Sequence, residues 1–414
     1  MAAPLVTDPV EAPAAPLDAA ERLHALDILR GLALFGMILV HFHQKMRIEV
    51  TGLEDLIAWG VWVLVEQKAW GTFAFLFGVG FAVLLRRLEA RRAPVVAIYL
   101  RRLAALAVFG LIADVCFGFQ ILFEYAAWGL ALLVVRRWSS RALLVTALVG
   151  ACARPVVAEL TALYGWWAGV APAAVPAARV ALAKAVEAAA AADSYPALLS
   201  ARWALFWGTF PHTWRDLLPD SNLPLFCIGL LAVRHGILDQ PKRHVRTIAQ
   251  WMAFGAFAWG MHWLVLRNIP ETGTAAIDWP IQEGFGLLQD QWLTFTYVGA
   301  VVLLLAYRPV WTARLAVFGL AGRMALTNYM LQAAVLDALA SGYGFGLKLR
   351  PLAYVPAAVA LFSVEAAFSA AWLARYRFGP LEWLWRTLTY AHPQPLRRPV
   401  AAARGATPAA AESP

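Results

Sequence analysis

"LDILRGLALFGMILVHFHQK", residues 26–45, is the stretch on which the fold turns. It carries an uncharged run between Arg30 and His41 and is long enough to enter about 30 Å of hydrocarbon. The same texture recurs outward from it along all 414 residues. The chain is 61% hydrophobic and 15% charged, with a mean hydropathy of +0.61, far from the balance of a soluble domain. Windows of about 20 apolar residues give ten candidate spans, near 27–45, 69–87, 97–117, 119–135, 141–163, 217–234, 247–266, 290–307, 315–339 and 352–374. The expected fold class is therefore all-α, a polytopic membrane helix bundle of about ten transmembrane helices that partners the lipid bilayer.

Basic residues resist translocation, so their distribution orients the bundle. Arg86, Arg87, Arg91, Arg92, Arg101 and Arg102 flank the second connection, and Arg136, Arg137 and Arg141 the fourth. Arg234, Lys242, Arg243 and Arg246 mark the sixth. The odd connections are acidic or mixed, with Glu49, Glu54, Asp55 and Glu66 in the first. Both termini are expected to be cytoplasmic. Topology also accounts for the net charge of +9, so no nucleic-acid partner is called for.

Residues 1–20 and 393–414 read as disordered cytoplasmic tails around one transmembrane domain, 21–392. The long connection 165–212 falls on the outer side. It holds an alanine-rich helix and then "YPALLSARWALFWGTFPHTW", whose Trp203, Phe206, Trp207 and Phe210 recur at helical spacing beside Arg202. That pattern suits an interfacial helix acting as an anchor or a lid. Gly379 and Pro380 should end the last span, placing Trp383 and Trp385 at the inner interface. Cys116, Cys152 and Cys227 lie on separate apolar segments without CxxC spacing and read as free thiols.

Arg30 and His41 are eleven residues apart, about 16 Å of rise and close to whole turns, so they share a helix face. His43 projects about 200° away from His41, which argues against a paired-histidine metal site there. Asp27, Arg30 and His41 either snorkel to the two headgroup layers or face an internal cavity, as ionisable groups in spans usually do. An imidazole at such a place has the chemistry of a general base.

Other polar groups lie at depth. Arg323 in "GRMALTNYMLQ" should sit about 12 Å inside the membrane and Glu365 about 14 Å inside on the next antiparallel span. An ion pair between Arg323 and Glu365 is expected, because either alone is costly in hydrocarbon. Asn328 is a further polar group on the same span. Arg86, Arg87, Arg101 and Arg102 form a guanidinium ring suited to phosphate groups, or a topology signal. Lys68 reads as a substrate contact or a headgroup anchor.

"LDILRGLALFGMILVHF", "FAFLFGVGFAVLLRR", "GRMALTNYMLQ" and "FGPLEWLWR" together resemble the YeiB-type family of bacterial multi-pass membrane proteins. That family is distantly similar to the transmembrane acyltransferases, the acyltransferase-3 and heparan-α-glucosaminide acetyltransferase groups. The resemblance implies a bacterial inner-membrane enzyme that moves an acyl group from a cytoplasmic acyl-CoA-like donor, with no bound cofactor or metal, to an envelope glycan or lipid acceptor. It implies His41 as the catalytic residue. Donor or substrate contacts would come from Arg30, Arg101, Arg102, Lys68 and Arg323, supported by Asp27, Asn328, Glu365 and Glu124. In "FQILFEYAAWG" Gln120 replaces the aspartate the family usually carries, with Glu124 or Asp114 as substitutes. The alternative is a transporter lined by Arg323, Glu365 and His41. No Walker loop, HExxH or GxSxG motif points elsewhere.

Overall fold

The computed structural model describes residues 24–119, 121–150, 167, 177–217, 222–268 and 292–398. Its regular structure is helical apart from one isolated bridge between Tyr376 and Arg397. The opening stretch forms α1, His24–Met46. Next, α2, Leu53–Val61, runs through a π-helical turn at Trp62–Glu66 into α3, Gln67–Ala90. The result is one continuous helical segment of 38 residues, longer at its start than the expected span at 69–87. Then come α4, Val95–Phe117, α5, Ile121–Val135, and α6, Ser140–Gly150.

A helical hairpin follows, α7, Ala177–Ala191, and α8, Tyr195–Leu217. The bundle resumes with α9, Leu223–Arg234, α10, Val245–Asn268, and α11, Trp292–Tyr307. The expected span at 315–339 is not one helix. Short α12, Val310–Arg314, precedes α13, Ala316–Arg323, and the chain breaks at Met324 before α14, Ala325–Ala340. Finally, α15, Tyr354–Arg375, leads to α16, Pro380–Tyr390. Among the described residues four segments are long and apolar enough to cross a membrane: α1, the α2–α3 segment, α4, and Pro351–Arg375, which contains α15. The helices α5, α6, α9 and α11 are apolar but shorter.

The membrane bundle is built around α1, which packs against α3, α13, α14 and α15. Helices in lipid gain little from burying apolar surface against one another, so close backbone approach matters more. Gly31 of α1 lies against the Phe318 carbonyl and Gly322 of α13 against the Asp27 carbonyl, leaving no room for a β-carbon at either. This contact fixes the height of Arg30 relative to Arg323.

The segment after α16 is part of the fold. Trp383 Nε1 donates to the Gln394 carbonyl at 2.7 Å, and the Arg377 amide to the Leu396 carbonyl at 2.8 Å. Residues 393–398 of the expected tail thus pair with α16 and the turn before it, and residues 399–414 lie outside the described residues. The helix α16 packs on α4 and α14. Residues 1–20, Gln120, Cys152 and the Phe210 side chain lie outside the described residues.

Candidate functional site

One end of α1 opens onto two adjoining cavities of about 220 and 170 Å³ that share Arg30, Gly80, Arg102, Arg323, Glu382 and Arg386 in their walls. The outer of the two also reaches Arg87 and Arg377, so six guanidiniums face it against the carboxylates of Asp27 and Glu382. Both acids are engaged. Arg30 donates to Asp27 at 2.8 Å one turn along α1. Glu382 accepts from the Leu326 and Thr327 amides at 2.6 and 3.0 Å and from the Thr327 hydroxyl at 2.6 Å. The break at Met324 exposes amides at the start of α14, and a carboxylate from another helix satisfies them and complements the helix dipole. The floor is fastened as well. Arg102 stacks on the Trp385 ring at 3.7 Å while Trp385 Nε1 donates to the Arg102 carbonyl at 2.9 Å.

The inner cavity turns apolar as it rises past Phe73, Leu76, Phe77, Ile121 and Leu122 to Met37 and Tyr329. His41 lies one turn beyond Met37, only 1% exposed. Its ring is 4.0 Å from that of Phe119 and 6.2 Å from that of Tyr329, and Nδ1 has no hydrogen-bond partner among the described residues. The Tyr329 hydroxyl is likewise buried without one. Tyr329 thus touches both the cavity and the imidazole, a role that nothing in the sequence marked out for it. His43 faces Tyr354 instead, with ring centroids 6.1 Å apart.

Beyond His41 the opposite face begins. Lys45 lies 4.9 Å over the other neighbour of the imidazole, Phe119, and feels the charges of Arg202, Asp337 and Asp114. Asp337 is fully buried, bound by the Arg202 guanidinium through two hydrogen bonds and by the hydroxyls of Ser341 and Tyr343 at 3.2 Å each. Arg202 also donates to the Cys116 carbonyl at 2.8 Å, so α8 is pinned across the ends of α4 and α14. The hairpin is held again where the Gly342 amide donates to the Ala190 carbonyl. The expected interfacial helix therefore has Trp203 and Trp207 exposed on one side and a buried ion pair on the other.

Arg30, Arg102 and Arg323 are brought together in the cavity wall, with Asp27 beside them. Arg101, next in sequence to Arg102, is exposed and outside both walls. Lys68 is buried, 2% exposed, away from the cavities. Glu124 is half-buried in the first turn of α5, close enough to Asp114 for the two to interact. Asn328 donates to the Ala321 carbonyl at 3.0 Å and to the Ser369 hydroxyl at 2.9 Å, stapling α14 to α13 and α15.

The expected Arg323–Glu365 ion pair is not formed. Both carboxyl oxygens of Glu365 are buried without a partner among the described residues, and Arg323 faces the cavity. The physical reason is direction, since equal depth on two helices does not make their side chains face each other: Arg323 ends α13 pointing into the cavity, and Glu365 of α15 is outside its walls.

Comparison with known proteins divides the chain in two. Residues 22–178 match the catalytic family of heparan-alpha-glucosaminide N-acetyltransferase, and residues 232–392 match the family described as protein of unknown function (DUF418). "Uncharacterized protein YxaH" of Bacillus subtilis is 30% identical over 404 residues, covering 91% of this chain and 96% of its own. An "Uncharacterized 39.9 kDa protein in amylase 3'region" of Bacillus acidopullulyticus is 27% identical with the same coverage of both chains. "Uncharacterized protein YeiB" of Escherichia coli is 40% identical over 68 residues, 16% of this chain and 18% of its own. No solved structure matches. The acyltransferase-like segment contains α1 and α4, and the DUF418 segment contributes Arg323, Tyr329 and Glu382, so both halves build one site. The chain belongs to the YeiB-type DUF418 family of membrane proteins.

Proposed function

We propose that this protein is an acyltransferase of the bacterial inner membrane that passes an acyl group from a cytoplasmic acyl-CoA-like donor to an acceptor at the opposite face. The observation that carries this reading is the cavity itself, cationic at one end, apolar along its length and closed by Tyr329 beside His41. The similarity of residues 22–178 to an acetyltransferase catalytic family supports it. The basic residues resist translocation, so the arginine face is read as cytoplasmic.

Guanidinium forks suit the phosphates of such a donor, and Arg30, Arg102, Arg323 and Arg386 would hold them. About 16 Å of helix separates Arg30 from His41, a length that an extended thioester arm can bridge while its phosphates stay at the mouth. The acceptor is a hydroxyl or amine, from an envelope glycan or a lipid, approaching on the side of Lys45 and Asp114. His41 takes the acceptor's proton as its oxygen or nitrogen forms a bond to the thioester carbonyl carbon. The carbon–sulfur bond then breaks, and the imidazolium returns that proton to the departing thiolate, so free thiol and acylated acceptor are the products. The Tyr329 hydroxyl donates to the carbonyl oxygen as it becomes negative. Phe119 and Tyr329 must move to admit either reactant.

The test is donor dependence. Purified protein supplied with acetyl-CoA and an envelope extract should release free thiol in proportion to the extract and label an envelope component. Accumulation of a solute in vesicles, unchanged and without thiol release, would favour transport instead.

A further inference from the structure

A third cavity, of about 400 Å³, lies away from the two arginine-lined ones, between α6, α9, α10 and α11. Its walls are apolar, with Leu144, Ile228, Ile248, Trp251, Phe295 and Val302 among them, and its size is in the range of ligand sites, roughly 300–1,000 Å³. The polar groups gather where α6 begins and α9 ends: Ser140, Arg141, His235 and His244. This mouth is built. His235 Nε2 and the Ser140 hydroxyl are 3.0 Å apart, and Arg234 donates to the Arg136 and Trp138 carbonyls at 2.8 and 2.7 Å. It opens on the same face as the arginine cavity, because Arg86, beside the cavity's Arg87, reaches Asp239 just past α9 at 3.3 Å.

The charge around the mouth is one-sided. Arg141 lines it, Arg137, Lys242, Arg243 and Arg246 lie within a few residues of its lining in sequence, and Asp239, already bound by Arg86, is the one acid in residues 136–150 and 234–250. An apolar slot in a membrane bundle that ends in basic and imidazole donors matches a lipid tail under an anionic headgroup. We infer that this groove binds one acyl chain of an anionic phospholipid from the leaflet on the arginine face, with its phosphate held by Arg141, His235 and His244. The site is independent of the acyl-transfer reading and uses none of its residues.

Native mass spectrometry of the detergent-purified full chain tests it, with phosphatidylglycerol and phosphatidylcholine of identical chains as competing probes. The wild type should retain phosphatidylglycerol in preference, by about fivefold for each basic contact at a membrane surface. Arg141→Gln with His244→Gln, at the solvent-facing mouth, should reduce that preference to near parity. Leu144→Trp, which narrows the slot, should lower retention of both lipids while the elution profile stays that of folded protein. Equal retention of the two lipids by the wild type, or a preference untouched by the mouth variants, overturns the inference. So does full displacement by glycerol phosphate, because a headgroup alone would then suffice.

Discussion

The two ends of α1 both concentrate charge, yet they spend it differently. At the arginine end, among the described residues, six guanidiniums face a cavity lined by two carboxylates, one of them occupied in capping α14. At the other end, Arg202 and Asp337 meet in a fully enclosed pair whose remaining valences go to Ser341, Tyr343 and the Cys116 carbonyl. A surplus of one sign around a void invites a ligand of the other sign. A neutral, enclosed pair whose carboxylate is fully engaged fastens helices together and has little left to offer a substrate. His41 lies between these regimes, packed by rings and free of hydrogen bonds at Nδ1 among the described residues.

If the far end is a fastening, its loss should be felt first in stability. Asp337→Ala leaves Arg202 buried and unpaired and should cost about 3–5 kcal/mol, whereas replacing both residues by apolar ones of similar volume should recover much of that. Thermal unfolding in detergent measures both, and equal destabilisation by the single and double variants would break the distinction. Between the ends, Tyr329→Phe should lower kcat by roughly 10²-fold, the loss expected for a donor to a developing oxyanion, with little change in unfolding temperature. At the arginine end, Arg102→Gln should raise KM for the acyl donor by about tenfold or more, in line with a lost hydrogen bond to a charged group. Its neighbour supplies the sharpest internal control. Arg101→Gln should leave KM within about twofold, since surface charges far from a ligand are weakly felt. A donor KM that responds equally to both would mean general surface charge and no defined site.

Much of α1 is legible in the sequence alone. The eleven-residue step from Arg30 to His41 is a property of helix geometry, and α1 keeps that geometry without interruption. The same reasoning fails on the Arg323–Glu365 pair because depth along two helices does not give the direction in which each side chain projects, and Arg323 turns to the cavity while Glu365 stays outside its walls. Asp337 gives a signal in the sequence, a lone carboxylate inside "LQAAVLDALA", but its partner lies 135 residues earlier on α8 and no spacing rule connects them. Arg101 and Arg102 look equivalent as a pair of basic residues, and only the packing of α16 against α4 distinguishes the stacked guanidinium from the exposed one. Tyr329 carries no charge to draw attention to it. Its importance comes from position, between a cavity and an imidazole supplied by another helix.

The most direct test compares the wild type with His41→Ala for thiol release from acetyl-CoA in the presence of envelope acceptor, each first shown to unfold at the same temperature. Acyl transfer at His41 predicts that release falls by at least about 10²-fold in the variant, the lower end of what a general base contributes. Release that continues unchanged in a folded His41→Ala protein would contradict it.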